Sequence, residues 1–249
     1  MKTKKTMVQR TDGRAEDEIR PVVFHKDFAK AAKGSVLVEM GRTRVLCGAT
    51  VQENIPRWMQ QQKVEGGWVT AEYSMLPYAS SERKSRESSM GRVEGRTQEI
   101  QRLIGRSLRA VMDLKSLGRR TIWVDCDVIE ADGGTRTAAV TGGYVALRLA
   151  VNRLLREGAL EVDPVREAVA AVSAGVVEGA PLLDLCYTED LAAEVDMNVV
   201  MTASNRFVEI QGTAESDPYT KTALTRMMQL AQAGIERLIE AQNRVLSGT

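Results

Sequence analysis

The run Asp132-Gly133-Gly134-Thr135-Arg136-Thr137 concentrates oxyanion chemistry in six residues. Adjacent glycines let successive backbone N–H groups turn toward one centre, and threonine hydroxyls and a forked, permanently charged guanidinium add further donors. Residues from Thr137 onward read as a helix, whose positive dipole end would lie behind the same spot. A Gly-Gly turn at a helix start also occurs for purely structural reasons, so this run needs company.

That company is a pair of carboxylates. The segments Asp184 to Asp190 and Asp196 to Met201 both read as strand-like, separated by small and polar residues. On one straight strand the spacing from Asp190 to Asp196 would hold the two carboxylates about 20 Å apart, and on a helix it would aim them about 240° apart. A turn between them lets them converge at the mouth of a hairpin, and two close carboxylates are best tolerated when a cation neutralises them. Hard oxygen ligands of this kind suit magnesium or manganese. The other reading is that Asp190 and Asp196 merely solvate a turn.

A phosphate cradle, arginines and a carboxylate pair share one natural use, inorganic phosphate acting as the nucleophile on a phosphodiester. Two like charges about 4 Å apart repel by about 1 kcal/mol in bulk water and about 4 kcal/mol at an effective dielectric of about 20. Cationic groups are needed merely to allow that encounter, and they then stabilise the charge of the transition state.

The elements that must position these groups are legible in the apolar pattern. Val36 to Val38 and Val45 to Val51 form a hairpin signal across Gly41, and a third strand follows near Trp68 to Tyr73. From Leu76 to Arg96 apolar residues thin out and Arg83, Lys84, Arg86, Arg92 and Arg96 appear among serines and glycines, the mark of a long polar loop. A helix is predicted from Gln98 to near Gly118, a strand over Ile122 to Val128, and a second helix through Tyr144 to Leu155 closed by Gly158. Four strands are predicted at Val169 to Val177, Leu182 to Tyr187, Val195 to Thr202 and Phe207 to Gln211, then a final helix carrying Leu224 to Ile239 whose methionines read as core packing. This order predicts an α/β or α+β sandwich with helices packed on mixed sheets.

Composition narrows the function classes. The 249 residues, 43% hydrophobic, suffice for a substantial core, as one large domain or two similar halves. Lys plus Arg number 34 against 33 Asp plus Glu, so nucleic-acid binding has to come from a local basic patch. Cys47, Cys126 and Cys186 are odd in number and far apart, which argues against a disulfide framework or a Cys-x-x-Cys zinc site and for small buried residues of a reducing compartment. The single histidine, His25, leaves no room for multi-His metal centres and reads as an ordinary surface or strand residue. No stretch of about 18 apolar residues occurs, and Met1 to Thr6 lack the apolar core of a signal peptide, so a soluble, cytoplasmic chain with no membrane partner is expected. Neither a dinucleotide fingerprint after the first strand nor a Gly-Lys-Ser/Thr phosphate loop is present.

Several further stretches carry a resemblance. Arg10-Thr11-Asp12-Gly13-Arg14 with Ile19-Arg20-Pro21-Val22, Gly34 to Glu39, Thr70-Ala71-Glu72-Tyr73, Gly95 to Ile100, Asp125 to Val128, Asp132 to Thr137, Asp196 to Met201 and Glu209 to Glu215 together resemble the bacterial ribonuclease PH family, in order and over nearly the whole chain. The resemblance implies a phosphorolytic 3′→5′ exoribonuclease, or tRNA nucleotidyltransferase, that trims tRNA precursors and other RNA 3′ ends and releases nucleoside 5′-diphosphates reversibly. It implies an α+β sandwich of βαβα-type units related to the ribosomal protein domain 2-like fold, shared with polynucleotide phosphorylase and exosome core subunits. Residues 1–249 would form a single domain, with a core of about 20–160 and a C-terminal part of about 165–246 packed as one unit, assembled as a homohexamer built from a trimer of dimers; RNA, not DNA, is the expected partner.

Carried over by motif, Arg96, Gly134, Thr135 and Arg136 would bind the attacking phosphate as co-substrate. Asp190 and Asp196 would be the catalytic, Mg2+- or Mn2+-associated aspartates, and Arg83 and Arg86 would face RNA and a neighbouring subunit. Two positions depart from the family pattern: Tyr78 replaces an arginine after Leu76-Pro77, where an aromatic can stack on a base, and Ala139 replaces a serine, leaving Thr135 and Thr137 as hydroxyls near the cradle. A non-catalytic RNA-binding ring subunit and a small-molecule kinase are the alternatives; the first would have no need of Arg96, Arg136, Asp190 and Asp196 together, and the second lacks its Gly-rich loop.

Overall fold

The computed structural model describes residues 10–215 and 217–248, so the reading made on Met1 to Thr6 lies outside the described residues. In chain order the elements are β1 (Val22–Lys26), β2 (Gly34–Met40), β3 (Thr43–Gln52), α1 (Arg57–Gln62), β4 (Trp68–Met75), α2 (Glu87–Met90), α3 (Gly95–Ala110), β5 (Thr121–Glu130), α4 (Thr135–Arg156), β6 (Val169–Val177), β7 (Ala180–Leu183), α5 (Tyr187–Ala192), β8 (Val195–Thr202), β9 (Phe207–Ala214) and α6 (Lys221–Ser247).

The strands form two sheets. The first has the order β1-β2-β3-β5-β4, and the second β7-β6-β8-β9. All neighbours in both are antiparallel except β4 and β5, which run parallel because α3 carries the chain back between them. The expected hairpin closes as Met40 pairs with Thr43 across Gly41-Arg42. Helices α3, α4 and α6 lie as a layer between the sheets: α3 touches β4 and β9, α4 touches β2, β3, β5 and β6, and α6 touches β1, β6, β7 and β8. This is the sandwich of mixed sheets and helices that the pattern predicts.

Helix α4 occupies the middle of that layer. Sixteen of its 22 residues are buried and only Arg153 and Arg156, near its C-terminal end, are exposed, so both sheets close on most of it. Val38, Cys47, Val124, Val140, Leu147, Val169 and Val199 belong to one continuous apolar core that spans both sheets. Cys47, Cys126 and Cys186 are buried and free, and His25 is exposed on β1 with Nε2 3.8 Å from a Glu39 oxygen. Met227 is buried in the same core and Met228 packs against it. No helix among the described residues is long and apolar enough to cross a membrane.

Several boundaries differ from expectation. The strand expected over Leu182 to Tyr187 is only β7, which ends at Leu183; Asp184 turns the chain at φ +51° and helix α5 follows, so Asp190 rides on a helix and not a strand. Helix α3 begins at Gly95, before Gln98, and stops at Ala110, short of Gly118, because Met112 bridges to Val165 beyond it. Helix α4 starts at Thr135. The polar loop is tied down at its start, with Leu76 N–H donating to the Val128 carbonyl and Ala131 N–H to the Ala79 carbonyl, and it contains the one-turn α2.

Candidate active site

Two helix starts share one unusual layout. Helix α4 follows Gly134, helix α3 follows Glu94, and neither start has a side-chain cap or an acidic residue in its first turn. Each carries an arginine as its second residue, Arg136 and Arg96 respectively. A cation at the positive end of a helix is electrostatically unfavourable, and unsatisfied N–H donors add to the cost; an anion bound there relieves both. The two starts face the same space, because the charges of Arg96 and Arg136 both act on the Tyr73 phenol and on the Asp190 carboxyl.

The glycines that open α4 are fixed by close approach as well as by backbone conformation. Gly133 has φ +76°, and a Cβ there would lie 2.6 Å from the Leu185 carbonyl oxygen and 2.7 Å from the Cys186 carbonyl carbon. Gly134 has φ +63°. Only glycine takes these dihedrals without cost while letting the α5 segment rest on the cradle. Thr43 Oγ1 accepts from Asp132 N–H at 2.9 Å and donates to the Gly133 carbonyl at 2.6 Å, which pins the turn from β3.

Buried arginines from the N-terminal segment join the cradle to α5. Arg20 donates to both Asp184 oxygens, at 2.7 and 3.0 Å, and to the Asp132 carbonyl at 2.5 Å. Arg10 grips Glu189 with two bonds of 2.8 and 2.7 Å and donates to the Asp184 carbonyl at 3.0 Å. Glu189 Oε2 also accepts the Cys186 N–H at 3.0 Å, so the residue before Asp190 holds the start of a helix too short to be stable alone. Sequence reasoning gave Arg10, Arg14, Arg20, Asp184 and Glu189 no role; the arginines stood there only within the motifs Arg10 to Arg14 and Ile19 to Val22, and the two acids only within the strand-like segment Asp184 to Asp190.

Glu189 sits below its ordinary carboxylate value: burial raises it, but the hydrogen bonds and charge of Arg10, helped by Cys186 N–H and Arg14, outweigh that. A depressed carboxylate stabilises the fold fully above its unfolded value near 4.5 and loses that contribution as pH falls through the lower folded value. Glu189→Gln should therefore flatten the acid limb of a urea-stability profile below about pH 4.5. Identical acid limbs in both proteins would show that Glu189 is not among the groups whose protonation unfolds the chain.

Asp196 stands on β8, half-buried, and accepts a hydrogen bond from Asn198 Nδ2 at 3.2 Å. Burial and then the Asp190 charge push its carboxyl up to about 6, against the pull of Arg136. Asp190 is also raised, first by burial, with Arg136 and Arg96 opposing. The two carboxylates therefore do converge, through α5 and the short link to β8, not through the hairpin expected. Their mutual repulsion fits a divalent cation: two hard oxygen donors beside an anion cradle suit a magnesium ion that keeps several waters. Among the described residues no group of three or more His, Cys, Asp or Glu could hold a metal, so a fully protein-caged ion does not fit.

Thr135 and Arg136 lie where expected, and Thr135 Oγ1 accepts from the Tyr73 hydroxyl at 2.9 Å. Arg136 donates to Gln211 at 3.0 Å and Glu99 at 3.3 Å, and Arg96 reaches the Met75 sulfur at 3.8 Å, a weak partner, among the described residues. Thr137 does not serve as a cradle donor, since its hydroxyl is spent on the Gly134 carbonyl at 2.9 Å. Ala139 is fully buried. Arg83 and Arg86 are exposed on the loop, and the Arg86 charge reaches Asp127. Tyr78, 69% exposed, lines a shallow depression of about 280 Å³ with Pro77, Ser80, Ser81 and Arg83. A cleft of about 220 Å³ lined by Tyr73, Met75, Lys84, Glu87, Met90 and Arg96 joins the loop to the cradle.

The sequence model of the 3′ exoribonuclease family, domain 1 (RNase PH), matches residues 18–151, and that of domain 2 matches residues 167–234. The chain belongs to the RNase PH family. It is 52% identical over 241 residues to Ribonuclease PH of Bacillus velezensis, covering 96% of this chain and 98% of that protein. Ribonuclease PH of Bacillus subtilis is 51% identical over 238 residues, covering 95% and 96%. Among solved structures, rice (Oryza sativa) Rrp46 superposes with a TM-score of 0.77 at 17% identity, over 95% of this chain and all (100%) of that one. The Archaeoglobus fulgidus exosome with RNA bound to its active site gives 0.77 at 21% identity, over 93% and 92%. These likenesses establish the RNase PH fold. The family boundary between residues 151 and 167 falls where α4 ends and β6 begins, so the cradle belongs to the first family segment and Asp190 and Asp196 to the second.

Proposed function

We propose that the cradle at the start of α4 binds inorganic phosphate and directs it, as nucleophile, at the last phosphodiester of a tRNA precursor or another RNA 3′ end. That the chain is a phosphate-dependent 3′→5′ exoribonuclease and nucleotidyltransferase follows from its RNase PH membership at 52% identity across nearly its whole length. The site-level reading rests on one observation: two uncapped, arginine-bearing helix starts meet a pair of raised carboxylates.

Arg96, Arg136, Thr135 and the Gly134 backbone hold the phosphate. A phosphate oxygen bonds to the terminal phosphorus, the bond from that phosphorus to the preceding 3′ oxygen breaks, and a nucleoside 5′-diphosphate leaves; the freed 3′ oxygen takes up a proton. The reverse reaction adds a nucleotide. Asp190 and Asp196 would hold a divalent cation, magnesium or manganese, which supplies positive charge opposite the reacting phosphoryl oxygens. The arginines neutralise the encounter of two anions and keep stabilising charge as it spreads in the transition state. A non-catalytic ring subunit is not favoured, since it would have no use for this conjunction.

Arg83, Arg86 and Tyr78 serve RNA capture in this reading, with residues 1–249 working as one domain in a cytoplasmic homohexamer. The deciding assay is dependence on phosphate: RNA should shorten only when phosphate is present, with nucleoside diphosphates as product. Monophosphates without added phosphate would mean hydrolysis and refute the reading. Replacing Arg83 and Arg86 together by Ala should weaken tRNA precursor binding and lower its salt slope by about one to two, if each arginine releases roughly one counterion. Sedimentation of the same variant separates the roles: a hexamer with unchanged affinity and slope would sink the RNA contact, and smaller oligomers with a normal slope would assign the arginines to assembly.

A further inference from the structure

Tyr73 is a buried phenol whose hydroxyl reaches the cradle from beneath. It stands in β4 at 3% exposure, and its Oη donates to Thr135 Oγ1, on the first residue of α4, at 2.9 Å. Both Arg96 and Arg136 lie close enough for their charge to act on the phenol. Burial nevertheless raises the phenol above its ordinary value, so it keeps its proton at neutral pH and remains a donor.

A hydroxyl has one proton to give and two lone pairs to offer. With Tyr73 occupying an acceptor position, the Thr135 proton is left for a different partner, and Thr135 makes no other side-chain hydrogen bond that the described residues show. Two linked hydroxyls in the field of a nearby cation polarise each other, which makes the last one a better donor to an anion. We propose that Tyr73 is a positioning residue for the attacking phosphate: it fixes the Thr135 hydroxyl as a donor to the anion and passes on the polarisation of Arg96. The role rests on the reading that the cradle binds phosphate. Ring packing alone does not account for the arrangement, because a phenylalanine would fill the same core space without bringing a polar atom under the cradle.

The test is steady-state phosphorolysis with phosphate varied, alongside RNA binding and thermal melting, on Tyr73→Phe, Thr135→Val, the double variant and Thr135→Ser. Tyr73→Phe should raise KM for phosphate about three- to tenfold, the span of one net hydrogen bond, with RNA affinity and kcat at saturating phosphate nearly unchanged. Thr135→Val should raise KM at least as much, Thr135→Ser, which keeps the hydroxyl, should recover most of that loss, and the double variant should be no worse than Thr135→Val alone because the two residues act through one hydrogen bond. A parental phosphate KM in Tyr73→Phe, or fully additive effects in the double variant, would overturn the role. If Tyr73→Phe melts too early to assay, the Thr135 pair still decides, since Val and Ser with equal phosphate KM would leave Tyr73 no hydroxyl to position. Arg136→Ala separates this proposal from its premise: an unchanged phosphate requirement there defeats the cradle itself, whereas a raised one beside a parental Tyr73→Phe defeats Tyr73 alone.

Discussion

Asp196→Asn should degrade RNA about a hundred- to a thousandfold more slowly than the parent while melting at a higher temperature. The two halves of that expectation come from one observation, the Asp196 carboxyl pushed up to about 6 by burial and by Asp190. A group raised in the fold contributes stability at low pH that is lost as pH rises through its folded value, so above about 6 the ionised Asp196 strains the cation-free chain. Asparagine keeps the size and the partnership with Asn198 but never ionises; relief of the strain amounts to ~1–3 kcal/mol at neutral pH. The same change removes a hard oxygen donor for the cation, and loss of metal-assisted charge stabilisation of about 3–4 kcal/mol gives the predicted slowing. Protons compete with the cation for this carboxylate, so in the parent the magnesium needed for half-maximal activity should rise about tenfold per pH unit below about 6. Magnesium titrations at several pH values, with melting curves in chelator, measure all of this. A variant with parental activity and parental magnesium demand would reduce the carboxylate pair to a solvated turn.

Arg136→Ala should cost about 30- to 1000-fold in phosphorolysis and leave RNA affinity near that of the parent. The side chain is anchored at the start of α4 and shares its guanidinium with Gln211 and Glu99, neither of which provides the charge a dianion needs. Removing charge-assisted bonds to phosphate costs about 2–4 kcal/mol at the barrier. The polymer keeps its contacts elsewhere, so the defect should appear as a raised phosphate requirement, not as lost RNA binding. Phosphate titrations under single-turnover conditions separate the two, and parental turnover at ordinary phosphate concentration would remove Arg136 from the cradle.

Where long periodic segments cross the core, the sequence carried the fold. The alternation of Ile122, Val124, Cys126 and Val128 marks β5, and the stripe from Ile100 to Leu108 marks α3. Short elements escaped for a physical reason: α5 has six residues, too few for a helical period to register, and it is held by Arg10 reaching Glu189 across 179 positions. The start of α3 was hidden because Gly95 to Glu99 include only one buried residue, Thr97, which is polar, so the apolar pattern begins at Ile100. Arg96 was reached through resemblance and not through periodicity. The cradle itself was legible, since glycines, hydroxyls and arginine are contiguous; that Thr137 spends its hydroxyl on Gly134 depends on where the helix starts, and no composition encodes that.

The burial of most of α4 between the two sheets has a consequence for where the proposed site comes together. One end of this helix carries the proposed cradle, its body is the shared core of both sheets, and Asp190 and Asp196 come from α5 and β8 in the second family segment. Neither family segment alone carries both the arginines and the carboxylates of the proposed site, so that site is complete only with both sheets packed on α4. The two segments meet where Gly133 lies against the backbone of Leu185 and Cys186, so a side chain placed there would disturb the junction itself rather than either segment alone.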